Sequence, residues 1–146
     1  MATEKFVYVT YIAATPAQVF KALIQGELTR QYWKHTNESS WQPGSKWKHV
    51  ADDGKGTVRL VGQVVEVIPN KRLVLTWGEV SDENNTEDHS RVAIDIETVG
   101  EVVRLTITHD ELKSPGELEK ISNGWPRVLS SLKSFLETGK ALDTWA

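Results

Sequence analysis

The chain has 146 residues, of which 25% are charged and 39% hydrophobic, with a formal net charge of -3, the size and balance of one globular domain with a sizeable core. Its 17 Lys and Arg are dispersed and leave no basic stripe for nucleic acid or an anionic membrane, while the lack of cysteine removes disulfides, thiol nucleophiles and thiolate metal sites. No long apolar run marks a leader peptide or a membrane span, and a cysteine-free chain is compatible with a reducing compartment, so a cytoplasmic protein with residues 1–146 as a single domain is expected.

Phe6 to Ile12 is β-branched and aromatic and reads as a strand, with Val7, Val9 and Tyr11 on one face and Phe6, Tyr8 and Ile12 on the other. Thr15-Pro16 has the form of an N-cap followed by proline in the first helical turn, and Val19, Phe20 and Leu23 make the stripe of a short helix ending near Gly26. Glu27 to Trp33 extends this by another turn or two, with Leu28, Tyr32 and Trp33 inward. Between Thr36 and Gly56, Pro43-Gly44 and Asp53-Gly54 break the chain into short strands joined by hairpin turns, one of them carrying Trp47 and His49.

Thr57 to Ile68 reads as a long strand on which Arg59 and Gln63 share phase with Val61, Val65 and Val67, and Gly62 is a place for a bulge or bend. If that phase faces inward, a guanidinium and an amide line the interior; if the bend swaps the faces, Arg59 is solvated, and both readings stay open. Leu73, Leu75 and Trp77 alternate inward on the next strand. Ser81 to Asp88 is acidic and reads as an exposed connector, without the spaced ligands and turn glycine of a calcium loop. Val92, Ile94 and Ile96, then Val103, Leu105, Ile107 and His109, face inward on two strands joined tightly at Val99-Gly100-Glu101.

Ser114-Pro115-Gly116-Glu117 has the form of a capping box, so a turn or two of helix should precede a break or kink at Gly124 to Pro126. From Gly124 to Gly139, Trp125, Val128, Leu129, Leu132, Phe135 and Leu136 form the broad apolar stripe of an amphipathic helix. The order is an α+β plan in which an antiparallel sheet curves around one long helix. A sheet that grips a helix along only part of its length leaves a space suited to small ligands.

GWPRVLSSLKSFLETGK at 124–140, QYW at 31–33, PGSKWK at 43–48 and GQVVEVIPNKRLVLTW at 62–77 together resemble the activator of heat-shock-protein-ninety ATPase homologue-like family, within the START and birch-pollen-allergen-like (SRPBCC) superfamily. Gly44-Ser45 stands where paired glycines are usual, and Tyr32-Trp33 where a tryptophan pair is usual. The resemblance implies a helix-grip fold with about six or seven strands, two short helices closing one end, and an internal cavity. It does not imply one activity, since superfamily members bind lipids, hormones or polyketides, catalyse cyclisation, or act as co-chaperones.

Six tryptophans stand beside only three Phe and three Tyr, so much of the aromatic surface carries an N–H that needs a partner. Trp77 and Trp125 sit in strict apolar phase, whereas Trp33, Trp41 and Trp47 lie near turns that the fold would bring to a cavity mouth. His49 and His109 share phase with inward residues, while His35 and His89 read as members of polar loops. No HxH, HExxH, GxSxG, phosphate loop or dinucleotide fingerprint is present, so no metal, cofactor or catalytic constellation is expected. The candidate ligand-binding set is Trp33, Trp41, Trp47, His49, Arg59, Gln63, Trp77, His109, Trp125 and Leu129.

Three functions follow in order: a binding module for a small apolar or amphipathic ligand, a chaperone-ATPase modulator acting through the sheet surface or acidic loop, and a cyclase- or hydrolase-type enzyme. The second is weakened because the additional N-terminal domain of full-length co-chaperones of this kind is not seen. The third needs a facing acid–base pair, for which His49 with Arg59 or Asp110 is the available set.

Overall fold

The computed structural model describes residues 4–144, so Trp145 lies outside the described residues. Seven strands form one antiparallel sheet: β1 (Glu4–Ile12), β2 (His35–Ser39), β3 (Lys46–Ala51), β4 (Val58–Ile68), β5 (Arg72–Glu79), β6 (Ser90–Val99) and β7 (Val102–Leu112). Each strand from β2 to β7 pairs with its chain neighbour, and β1 adds to β7, giving the order β1-β7-β6-β5-β4-β3-β2. β1 and β2 are therefore opposite edges, and the segment between them must cross the sheet's full width. It does so as two short helices, α1 (Pro16–Ile24) and α2 (Gly26–Trp33), which close one end.

The local chemistry of these helices is that of the sequence reading. Thr15 Oγ1 accepts from Gln18 N at 3.2 Å and Gln18 Oε1 accepts from Thr15 N at 2.8 Å, a reciprocal capping box with proline in the first turn. Tyr32 on α2 donates its hydroxyl to Ala22 O at 2.9 Å, which fixes α2 against α1, and its burial pushes the phenol's pKa up.

α3 (Pro115–Thr138) is one helix, capped by Ser114 and ended by Gly139 at φ 82°. Of the break or kink expected at Gly124 to Pro126, the break is absent: Pro126 lies inside the helix. Its missing N–H and ring cost an interior turn stability. The compensation is visible upstream, where Leu118 and Ile121 extend the apolar stripe of Trp125, Val128, Leu129 and Leu132 back across the glycine and proline. A continuous buried face holds the helix through a local defect.

That stripe packs on the inner face of the sheet against Leu73, Leu75, Val92, Ile94, Ile96, Val103, Leu105 and Ile107. On β1 the inner residues are Phe6, Tyr8 and Ile12, while Val7, Val9 and Tyr11 stand exposed on the outer face. On β4 the outward of the two phases left open is the one adopted. Leu60 and Val64 belong to the core, and Arg59, Gln63 and Val65 are exposed, so the phase of Arg59 and Gln63 is the outer one. The phase switches at the register shift between Val64 and Glu66, after which Val67 packs inward. Gly62 stays in regular pairing with Trp47, and any Cβ there would collide with the Thr76 carbonyl oxygen and with Trp47 Nε1.

Two changes test this packing by urea unfolding. Leu132→Ala, at a position with 0% exposure, should cost about 2 to 5 kcal/mol; a loss below about 1 kcal/mol would place α3 elsewhere. Gly62→Ala should cost about 1 to 3 kcal/mol, because its methyl group meets backbone that cannot yield.

Candidate functional site

A cleft of about 920 Å³ opens between the N-terminal half of α3 and the β3, β4 and β5 strands. Its aromatic wall is Trp33 from the end of α2, Trp77 from β5 and Trp125 from α3, with ring centroids 5.4 to 6.4 Å apart. Leu60, Ile121 and Val128 add aliphatic surface, and His35 and His49 complete the inner wall. Gly124 also lines the space, and a Cβ there would meet no atom within 4 Å beyond its own helix backbone and chain neighbours.

Charged groups gather at the rim. Arg59 is exposed and lines the mouth, without an ion-pair partner among the described residues. Glu79 on β5 and Lys120 on α3 face each other at 3.8 Å across the opening, both exposed and so a weak link. Asp82 and Asp88 line the cleft as well, which corrects the reading of residues 81–88 as a plain connector. This segment forms two short 3-10 turns, Val80–Asp82 and Thr86–Asp88. His89 pins it: Nε2 donates to Asp82 O at 2.7 Å, and Nδ1 lies 3.2 Å from Thr76 Oγ1. His89 is buried and its ring lies against Gly78, so it is not part of a solvated loop.

The expected set thus divides. Trp33, His49, Arg59, Trp77 and Trp125 line the cleft. Trp41, Trp47 and Leu129 lie behind it, around a void of only about 20 Å³ that Trp33, Trp77 and Trp125 also border. Trp47 is 1% exposed and donates Nε1–H to Thr76 O at 2.8 Å, which makes it a core anchor. Gln63 faces outward in solvent because of the β4 phase, and is corrected accordingly. Asp110 is next to His109 on β7 and is not among the residues lining the cleft.

His109 stands behind the aromatic wall. Trp125 Nε1–H donates to His109 Nδ1 at 3.0 Å, so Nε2 carries the proton and donates to Ser90 Oγ at 2.7 Å. Ser90 in turn donates to Trp77 O at 3.2 Å. Both ring nitrogens are used, and the chain ties α3 to β7, β6 and β5. Ser90 was findable in the sequence, since the inward alternation of Val92, Ile94 and Ile96 extends back to it. His35 belongs to β2 rather than to a loop: its ring stacks on His49 at 4.2 Å with 6° between planes, and its Nδ1 lies 2.9 Å from Trp33 O. His49 Nδ1 lies 2.5 Å from the side-chain oxygen of buried Asn37.

Burial drives His109 down to about 4 and, joined by repulsion from His35, drives His49 down to about 3, from an ordinary 6.5. An unfolded chain takes up protons near pH 6.5 while these folded rings stay neutral. Their contribution to stability is therefore complete above about pH 6.5 and falls as pH drops toward the folded values, by up to about 1.4 kcal/mol per pH unit for each ring. Between pH 7 and pH 5 the loss measured by urea unfolding should be smaller in His109→Gln than in the parent, by about 2 kcal/mol. Equal losses in the two proteins would mean that His109 is solvated.

The fold is shared with solved structures from distant sources. The Aha1 dimer from Colwellia psychrerythraea aligns with a TM-score of 0.75 at 24% identity, covering 94% of this chain and 99% of that one. An HSP90 activator from Plasmodium falciparum aligns with a TM-score of 0.75 at 22% identity, covering 90% and 95%. CalU16 from Micromonospora echinospora aligns with a TM-score of 0.75 at 17% identity, covering 94% and 78%. No curated protein matches the sequence significantly. Among the described residues no helix is long and apolar enough to cross a membrane. The family model described as Activator of Hsp90 ATPase homolog 1-like protein matches residues 13–137, and the chain belongs to that family.

Proposed function

We propose that this protein binds a small, largely apolar or amphipathic ligand in the cleft between α3 and the sheet. The observation that carries the reading is the three-tryptophan wall of Trp33, Trp77 and Trp125 around a space of about 920 Å³, the size and lining of small-molecule sites. An apolar body would rest against the indoles, whose faces supply large contact area at low entropic cost. Arg59 at the mouth would meet an acidic end of an amphipathic ligand.

A second reading has its own support. The family and the Plasmodium falciparum HSP90 activator point to a partner of the chaperone class. In that case the acidic 80–88 segment or the outer sheet face would carry the function. Titrations with apolar probes separate the two readings, because a chaperone-directed protein has no need of saturable small-molecule binding.

Gly124 gives the cleanest test of the cleft. Gly124 borders the cleft with open space at its Cβ, so Leu in its place would take up cleft volume from the middle of a helix, where replacing Gly gains about 0.5 to 1 kcal/mol of helix stability. Gly124→Leu should therefore fold at least as well as the parent and lose at least tenfold in affinity, about 1.4 kcal/mol, for 2-methoxynaphthalene followed by tryptophan quenching. Unchanged affinity would remove the cleft as the site. Arg59→Met should weaken 2-naphthoate by about two- to fivefold and leave the neutral probe unaffected; equal effects on both would take Arg59 out of the site.

A further inference from the structure

His49 is the polar feature of the cleft's inner wall, and its surroundings fix what it can offer. The ring is 3% exposed and held on several sides, with centroids 4.6 Å from Trp33, 4.2 Å from His35 and 6.3 Å from both Trp47 and Trp77. Asn37 Oδ1, at 2.5 Å, accepts from Nδ1 and so places the ring's proton there. Asn37 borders the small void behind the wall, whereas His49 borders the large cleft in front. The Nδ1 edge of the imidazole thus faces the protein, and the residue as a whole borders the cleft. Nε2 has no hydrogen-bond partner among the described residues.

We propose that His49 Nε2 is a fixed hydrogen-bond acceptor that selects planar apolar ligands carrying a hydroxyl or N–H donor, phenols being the simplest class. The inference rests on the cleft being a ligand site and names the chemistry that the site prefers. The ring stays neutral at physiological pH because burial disfavours its cation. It cannot present an N–H to the cleft without giving up the bond to Asn37 Oδ1. A ligand offering an ether or carbonyl oxygen to Nε2 would set acceptor against acceptor, and a buried polar group left unpaired is what makes such a site discriminate. The indoles of Trp33 and Trp77 beside the ring favour an aromatic donor over an aliphatic alcohol, since the flat body stacks while its edge reaches Nε2.

The test compares 2-naphthol with 2-methoxynaphthalene on the full chain by tryptophan quenching, together with nitrogen-detected NMR of the imidazoles. The naphthol should bind about tenfold tighter, although it is the more polar of the two and loses more on leaving water. In the free protein His49 should show a protonated Nδ1 and an unprotonated Nε2, whose resonance shifts when 2-naphthol is added. His49→Phe should bring the two affinities together by weakening the naphthol alone. If that variant fails to fold, the parent's affinity ratio and Nε2 resonance decide. Equal affinities in the parent, or a proton on Nε2, would overturn the acceptor role and leave the cleft reading standing. Saturable binding of neither probe would overturn both.

Discussion

α3 presents an apolar stripe from Leu118 to Leu136 that no neighbouring helix is large enough to cover, and the inner face of the sheet is the surface that buries it. The remainder of the architecture answers this requirement. The sheet has seven strands in a simple meander, with β1 returning to the β7 edge. α1 and α2 cross from edge to edge and shut one end. Each large side chain removed from water contributes about 1.5 to 3 kcal/mol, which is why the stripe can carry Pro126 within the helix.

Apolar burial is nondirectional and does not by itself say where along the sheet the helix stops. Directional contacts do that. The path from Trp125 through His109 and Ser90 to the Trp77 carbonyl links one helix to three strands. It also orients the indole of Trp125 in the wall of the cleft. The polar partners of the tryptophans are thus the registration marks of the site: Trp47 meets Thr76 O where Gly62 leaves room for its ring. The same low-dielectric surroundings that strengthen these bonds keep both inner histidines neutral.

The histidines show why residue type alone is a poor guide to chemistry. His109 and His49 are both buried, neutral and surrounded by tryptophan. His109 spends both nitrogens on the protein and is structural, whereas His49 spends one on Asn37 and borders the cleft. His89, also buried, spends its nitrogens on the 80–88 segment and the sheet, which brings Asp82 and Asp88 to the rim. Four rings of one type therefore hold a helix, face a cleft, stack on a neighbour and fasten a loop.

What the sequence determined by itself was periodicity: the helix stripe, the inward alternation of β5, β6 and β7, the Thr15 cap and the turns all follow from local spacing, because side-chain direction in regular backbone depends only on position. With the resemblance carried by four stretches, that was enough for the helix-grip plan. It could not place Arg59 and Gln63, because the shift in β4 pairing after Val64 exchanges faces and depends on how β5 meets it. Nor could it show that α3 continues through Pro126, since the compensating contacts come from strands far away in sequence. Which tryptophans wall the cleft and which stand behind it, and that Asn37 accepts the hydrogen bond of His49 Nδ1, are facts of tertiary packing: each depends on side chains brought together from separate elements, and local spacing holds no record of such distances.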